Sequence, residues 1–136
     1  MLEFNQGQLY QMVENDDDFV NWYKDRFMPE HLPEFHFSPI QDESKREMIL
    51  QGRAYARKFN LKTVPAHAHF ITMMFNIGPN FFTFPGFRHA LTKPWDNEEQ
   101  VIDRLYNVSF EHAERAMKGA DDRYWWPDTI TSKERR

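Results

Sequence analysis

The residues predict an all-α fold, a compact bundle of about five to six helices with a Phe/Pro-rich connecting loop. Three observations carry this. Apolar residues recur at separations of three, four and seven along most of the chain, which is the period of one helix face. No stretch alternates apolar and polar residues for long enough to make a strand. Capping residues stand before the apolar stripes, and Gly or Pro stands after them.

Leu9, Met12, Val13, Phe19, Val20, Tyr23 and Phe27 draw the first stripe, with Asn15 as the point where it can break. Asn15 followed by Asp16, Asp17 and Asp18 offers an N-cap and negative charge to the unpaired N–H groups of a second helix. Pro29 and Pro33 are expected to stop that helix. Met28 to Pro39, with Phe35 and Phe37 among its prolines, reads as a packed connection without regular structure.

From about Ile40 to Phe59 the stripe resumes through Met48, Ile49, Gly52, Tyr55, Ala56 and Phe59, with Asp42, Glu43, Lys45, Arg46, Arg53, Arg57 and Lys58 on the outer face. Gly52 weakens a helix interior by about 1 kcal/mol relative to Ala, so its presence predicts a close helix crossing. Thr63 is the N-cap of the next helix, which runs to about Ile77 and ends at Gly78-Pro79. Its run Phe70, Ile71, Met73, Met74, Phe75, Ile77 is apolar nearly all round, the mark of a central helix.

The stretch Asn80 to Phe87 carries Phe81, Phe82, Phe84 and Phe87 around Pro85 and Gly86, and a short helical turn from Arg88 to Leu91 ends before Pro94. Asp96 with Glu99 makes a capping box for a helix whose inner face is Val101, Ile102, Leu105 and Tyr106. Ser109 caps a last helix through Lys118, closed by Gly119. Residues 1–128 are expected to form a single helical domain, and 129–136 a flexible tail.

Composition excludes several function classes. The absence of cysteine removes disulfides, thiolate metal sites and cysteine nucleophiles, and fits a reducing cytoplasm. No window approaches about 18 uninterrupted apolar residues, and the amino-terminal residues lack the basic and apolar regions of a signal peptide, so neither export nor a membrane span is expected. A formal charge of -4 with scattered basic residues argues against nucleic acid as a partner.

Catalytic and metal signatures are weak. His67 and His69 lie two apart, which on a helix points them about 200° apart, so one metal cannot take both. A His-based metalloenzyme, the least favoured reading, would need His31, His36 or His89 as well. Glu111-His112-Ala113-Glu114 has the wrong order for a zinc-protease helix, and Asp16 to Asp18 lacks the alternation of a calcium loop. No catalytic residue, cofactor or metal is therefore assigned.

What stands out is ring content: 16% aromatic, with 13 Phe and 4 Trp. Phe81, Phe82, Phe84 and Phe87, with Tyr124, Trp125 and Trp126, either close the ends of the bundle or remain exposed as an apolar patch for a partner. On the second reading these seven are the contact residues, and Arg53 and Arg57 are polar rim residues. Asp121, Asp122 and Asp128 would favour a partner with basic flanks.

The runs Gly52-Arg53-Ala54-Tyr55-Ala56-Arg57-Lys58-Phe59-Asn60-Leu61, Phe70-Ile71-Thr72-Met73-Met74-Phe75-Asn76-Ile77-Gly78-Pro79-Asn80-Phe81 and Ile102-Asp103-Arg104-Leu105-Tyr106 carry a resemblance. Between residues 19 and 106 the chain resembles small all-helical bacterial proteins encoded beside effectors and spike-tip proteins of type VI secretion clusters. The shared pattern is an arginine-bearing helix, a Phe-Asn-Leu link, and a helix closing as Met-Phe-x-x-Gly-Pro-x-Phe. The resemblance implies a non-enzymatic accessory role: a chaperone, adaptor or co-effector for a secreted effector, or alternatively an immunity protein that neutralises a toxin. The 81–87 loop and the Trp-rich end depart from the pattern, where partner specificity would vary.

Overall fold

In the computed structural model, which describes residues 13–127, every regular element is helical and no described residue is in a strand. Leu9, Met12, Asp128 and the 129–136 segment lie outside the described residues. The chain divides into two compact units at Leu50, within one helix.

In the first unit, α1 (Asp16–Trp22) starts as its sequence requires. Asn15 Oδ1 accepts the Asp18 N–H at 2.9 Å, and three carboxylates occupy the first turn, where the helix dipole favours them. Pro29 does not stop this helix. The backbone widens into a π turn (Tyr23–Phe27), the Met28 N–H bonds back to Tyr23 O, and α2 (Met28–His31) continues with Pro29 in its first turn. There a missing N–H costs little, and proline is tolerated. The same device opens α3 (Pro33–His36). The expected irregular connection is thus two single helical turns. Phe19, Tyr23, Met28 and Leu32 are fully buried, with the Tyr23 ring stacked between Phe19 (5.9 Å) and Phe27 (5.0 Å). Lys45, expected on an outer face, is buried, and its Nζ donates to His36 O at 2.7 Å.

Helix α4 (Asp42–Lys58) contains the boundary between the units. In the second unit its carboxyl-terminal half crosses α5 (Val64–Asn76) at the predicted glycine: a Cβ added at Gly52 would sit 2.4 Å from Ile71 Cγ1. The Phe59-Asn60-Leu61 link is a helix stop. Asn60 takes the left-handed conformation at φ 65°, the Leu61 N–H bonds Ala56 O, the Asn60 N–H bonds Arg57 O, and Leu61 is buried. Thr63 then caps α5, whose residues are buried almost all round. A 3-10 turn (Phe81–Thr83) leads into α6 (Pro85–Thr92).

The cap of α7 (Glu98–Tyr106) is Asn97 rather than Asp96. Asn97 Oδ1 accepts the Gln100 N–H at 3.1 Å, while Gln100 Oε1 accepts the Asp96 N–H at 2.7 Å, so the box is displaced by one residue. Glu98 instead accepts from the Lys62 and Thr63 N–H groups ahead of α5. Ser109 caps α8 (Phe110–Lys118), which closes at Gly119 as expected, and a 3-10 turn (Asp122–Trp125) follows. Among the described residues no helix is long and apolar enough to cross a membrane.

Candidate functional site

The Phe-rich loop folds inward, which corrects the expectation that it is a contact surface. Phe81, Phe82 and Phe87 are buried, as is Trp125. α5 is apolar on all sides and needs cover, and the loop supplies it: Phe70 meets Phe81 at 4.9 Å, Phe81 meets Phe87 edge-on at 5.3 Å, and Tyr55 meets Phe82 at 4.8 Å. Phe75 holds Trp125 at 4.8 Å. Phe84 is half-buried over Gly119, where a Cβ would come within 2.4 Å of its ring. Tyr124 is half-buried beside Phe82, and its carbonyl accepts the Tyr55 hydroxyl at 2.6 Å. Of the seven rings only Trp126 is exposed, at 38%.

Arg53 is likewise not a rim residue. It is 3% exposed, and its Nε–H donates to His67 Nδ1 at 3.1 Å. A guanidinium can only donate, so Nδ1 must accept and the proton sits on Nε2, which donates to Leu61 O at 2.6 Å. Burial first, and then the Arg53 and Arg57 charges, hold the His67 pKa below its ordinary value; the bond to Leu61 opposes them. His69 faces outward and shares a hydrogen bond with the Tyr106 hydroxyl at 2.8 Å, so the two histidines diverge as their spacing requires. Arg57 is exposed. Among the described residues no three His, Asp or Glu side chains converge as a metal-binding group.

Other apolar side chains do face solvent: Phe37 in the first unit, and a group in the second. On α8, Phe110 is 76% exposed and Met117 48% exposed; they lie seven residues apart on one face, with the half-buried Ala113 between them. The fully buried Ala116, about 100° round the same helix from Met117, anchors it to the rest of the unit. Tyr106, at the end of α7, is 51% exposed, with burial raising the pKa of its hydroxyl. Spacing alone could have found this stripe, because 110, 113 and 117 satisfy the three, four and seven rule.

Beside it lies a cleft of about 580 Å³ between α6, the end of α7 and the start of α8. Gly86 lets the walls approach: the His112 side chain lies where a Cβ would be, with Cβ and Cγ both 2.7 Å away. Pro85, Ala90 and Val108 make it apolar inside, while His89, Lys93, Arg104 and His112 line it with nitrogen. Among the described residues no carboxylate lines it. Arg104 is fixed by donating to Lys93 O and Pro94 O, both at 2.8 Å.

The chain matches no protein family, no curated protein and no solved structure with which it was compared. The two motifs behind its resemblance can nevertheless be placed. Phe59-Asn60-Leu61 is the stop of α4. In Gly78-Pro79-Asn80-Phe81, Asn80 Nδ2 donates to Gly119 O at 3.1 Å and its Oδ1 accepts the Asp121 N–H at 2.9 Å, while Gly78, at φ 153°, packs on Ala120. Both motifs fold the chain, leaving surface contacts to other residues.

Proposed function

We propose that the chain is a non-enzymatic, cytoplasmic protein-binding module that holds an effector or toxin through the outer face of α8. The observation that supports this most directly is the aligned Phe110, Ala113 and Met117 stripe. Large apolar side chains scattered singly over a surface call for no explanation, whereas a pair aligned on one helix face is what a helix offers to an apolar groove. The resemblance to accessory proteins of type VI secretion clusters supports the class of partner.

The test is co-expression with the protein encoded beside this one, followed by co-purification. The two should elute together, and Phe110→Ser and Met117→Ser should each weaken the complex about tenfold or more, the loss expected of a central apolar anchor, with the helical circular dichroism unchanged. Retention by both variants at native affinity would remove α8 as the contact surface. Failure of the native chain to hold that protein would remove the reading. Rescue of cells from the partner's toxicity would mark an immunity protein, and raised partner abundance without rescue a loading chaperone.

A further inference from the structure

The cleft has a chemistry that the α8 stripe lacks. In a chain with 21 acidic against 17 basic residues, a hollow bounded by Lys93, Arg104, His89 and His112 and, among the described residues, by no carboxylate is a local reversal of sign. Nor are these groups occupied with one another. Among the described residues Arg104 spends two donors on backbone carbonyls and has no ion pair, and the His89, Lys93 and His112 side chains have no hydrogen-bond or ion-pair partner. Fixing Arg104 in advance removes part of the ordering cost that binding would otherwise carry.

Resting on the protein-binding reading above, we propose that this cleft seats an acidic segment of the protein partner, one or two of its carboxylates lying between Lys93, Arg104 and His112 and an adjoining apolar side chain entering over Pro85, Ala90 and Val108. Three features select this occupant. The cationic charge is local: Asp103 and Glu111, the sequence neighbours of Arg104 and His112, are exposed and would repel a long polyanion, so a few carboxylates match it and a nucleic-acid backbone does not. The interior is apolar, which suits side chains flanking an acidic residue better than a bare ion. Asn107, Val108 and Ser109, which line the cleft, are followed directly by Phe110, so one extended segment can lie in the hollow and pass onto the α8 stripe.

The test begins with a library of random dodecapeptides displayed on phage and selected on the immobilised full-length chain. Selected peptides should be enriched in Asp and Glu next to an aromatic or aliphatic residue. A fluorescein-labelled member should bind about tenfold more weakly to Lys93→Glu, and several-fold more weakly to Lys93→Gln or when sodium chloride rises from about 50 to 300 mM, as screened charge pairs require. Both substitutions are at an exposed position at the end of α6 and should leave the circular dichroism unchanged. Selection without acidic enrichment, or equal binding by Lys93→Glu, overturns the proposal, and so does displacement of the peptide by free glutarate at the peptide's own affinity, which would mark a small-anion site. Loss of the co-expressed protein in Phe110→Ser but not in Lys93→Glu sinks the cleft and leaves the α8 reading standing; the reverse pattern sinks the α8 stripe alone.

Discussion

Replacing Gly52 by Ala sets two effects of opposite sign against each other. Ala is better than Gly in a helix interior by about 1 kcal/mol, and it also restricts the unfolded chain. Against this, the new Cβ would lie 2.4 Å from Ile71 Cγ1, 3.2 Å from Met74 Sδ and 3.3 Å from Ile71 Cδ1, where ordinary carbon contacts fall at about 3.5–4.0 Å. Met74 can swing aside, being unbranched. Ile71 cannot: it is β-branched, fully buried and held near one rotamer by its helix, so α4 and α5 must part by about 1 Å. Overpacking of this kind costs about 1–3 kcal/mol, and an approach as close as 2.4 Å belongs at the upper end of that range. The net expectation is destabilisation by about 1–2 kcal/mol, read as a lower urea midpoint at unchanged slope, or as a fall in Tm of about 3–6 °C. The double variant Gly52→Ala with Ile71→Ala should be less destabilised than the sum of its parts, because truncating Ile71 removes the clashing atom. A Gly52→Ala protein as stable as the native chain would refute the reasoning.

Because His67 must be neutral to accept from Arg53, the unfolded chain takes up a proton at higher pH than the folded one. Stability is therefore fully present above pH ~6.5 and declines as pH falls below it, by at most about 1.4 kcal/mol per pH unit, levelling off once the folded state also protonates; urea titrations between pH 5 and 8 should show this slope, and His67→Gln should flatten it. Trp125→Ala should destabilise by about 3–4 kcal/mol as a core truncation, whereas Trp126→Ala should change stability by less than about 1 kcal/mol, and equal effects in thermal melts would contradict the burial difference. Asn80→Ala removes partners from Gly119 O and the Asp121 N–H together and should cost about 1–3 kcal/mol by chemical denaturation, with Asn80→Asp recovering only the bond to Asp121.

The parts of the fold that could be read in advance are those decided within a few residues. Asn15, Thr63 and Ser109 each accept from an N–H three positions on, and Gly119 closes α8, so each signal and its partner lie in one short window. Asp96 and Asn97 are equally good caps by residue type, and only the reach of Gln100 decides between them. Pro29 is not a stop because its neighbours absorb it in a π turn. Lys45 and Arg53 sit on the polar side of α4 by periodicity, yet long side chains take their partners from distant chain, His36 O and His67 Nδ1. The site was the least legible part. Whether Phe81 and Phe82 face in or out depends on how much cover α5 needs, a tertiary quantity, and the cleft draws its walls from segments separated by stretches whose packing no local rule supplies.

The amide of Asn80 has a consequence for motion. It imitates a strand neighbour, binding one carbonyl and one N–H of the segment after α8, and with the Tyr55 hydroxyl on Tyr124 O it ties that segment to chain 39, 41 and 69 positions earlier. Closing such long loops costs chain entropy, so this end is expected to open sub-globally, with earlier amide exchange at Gly119 and Asp121 than in α5 as the outcome that checks it. Release there would also loosen the last turn of α8, so Met117 would stay poised for a partner only while a side chain some forty residues upstream keeps its grip.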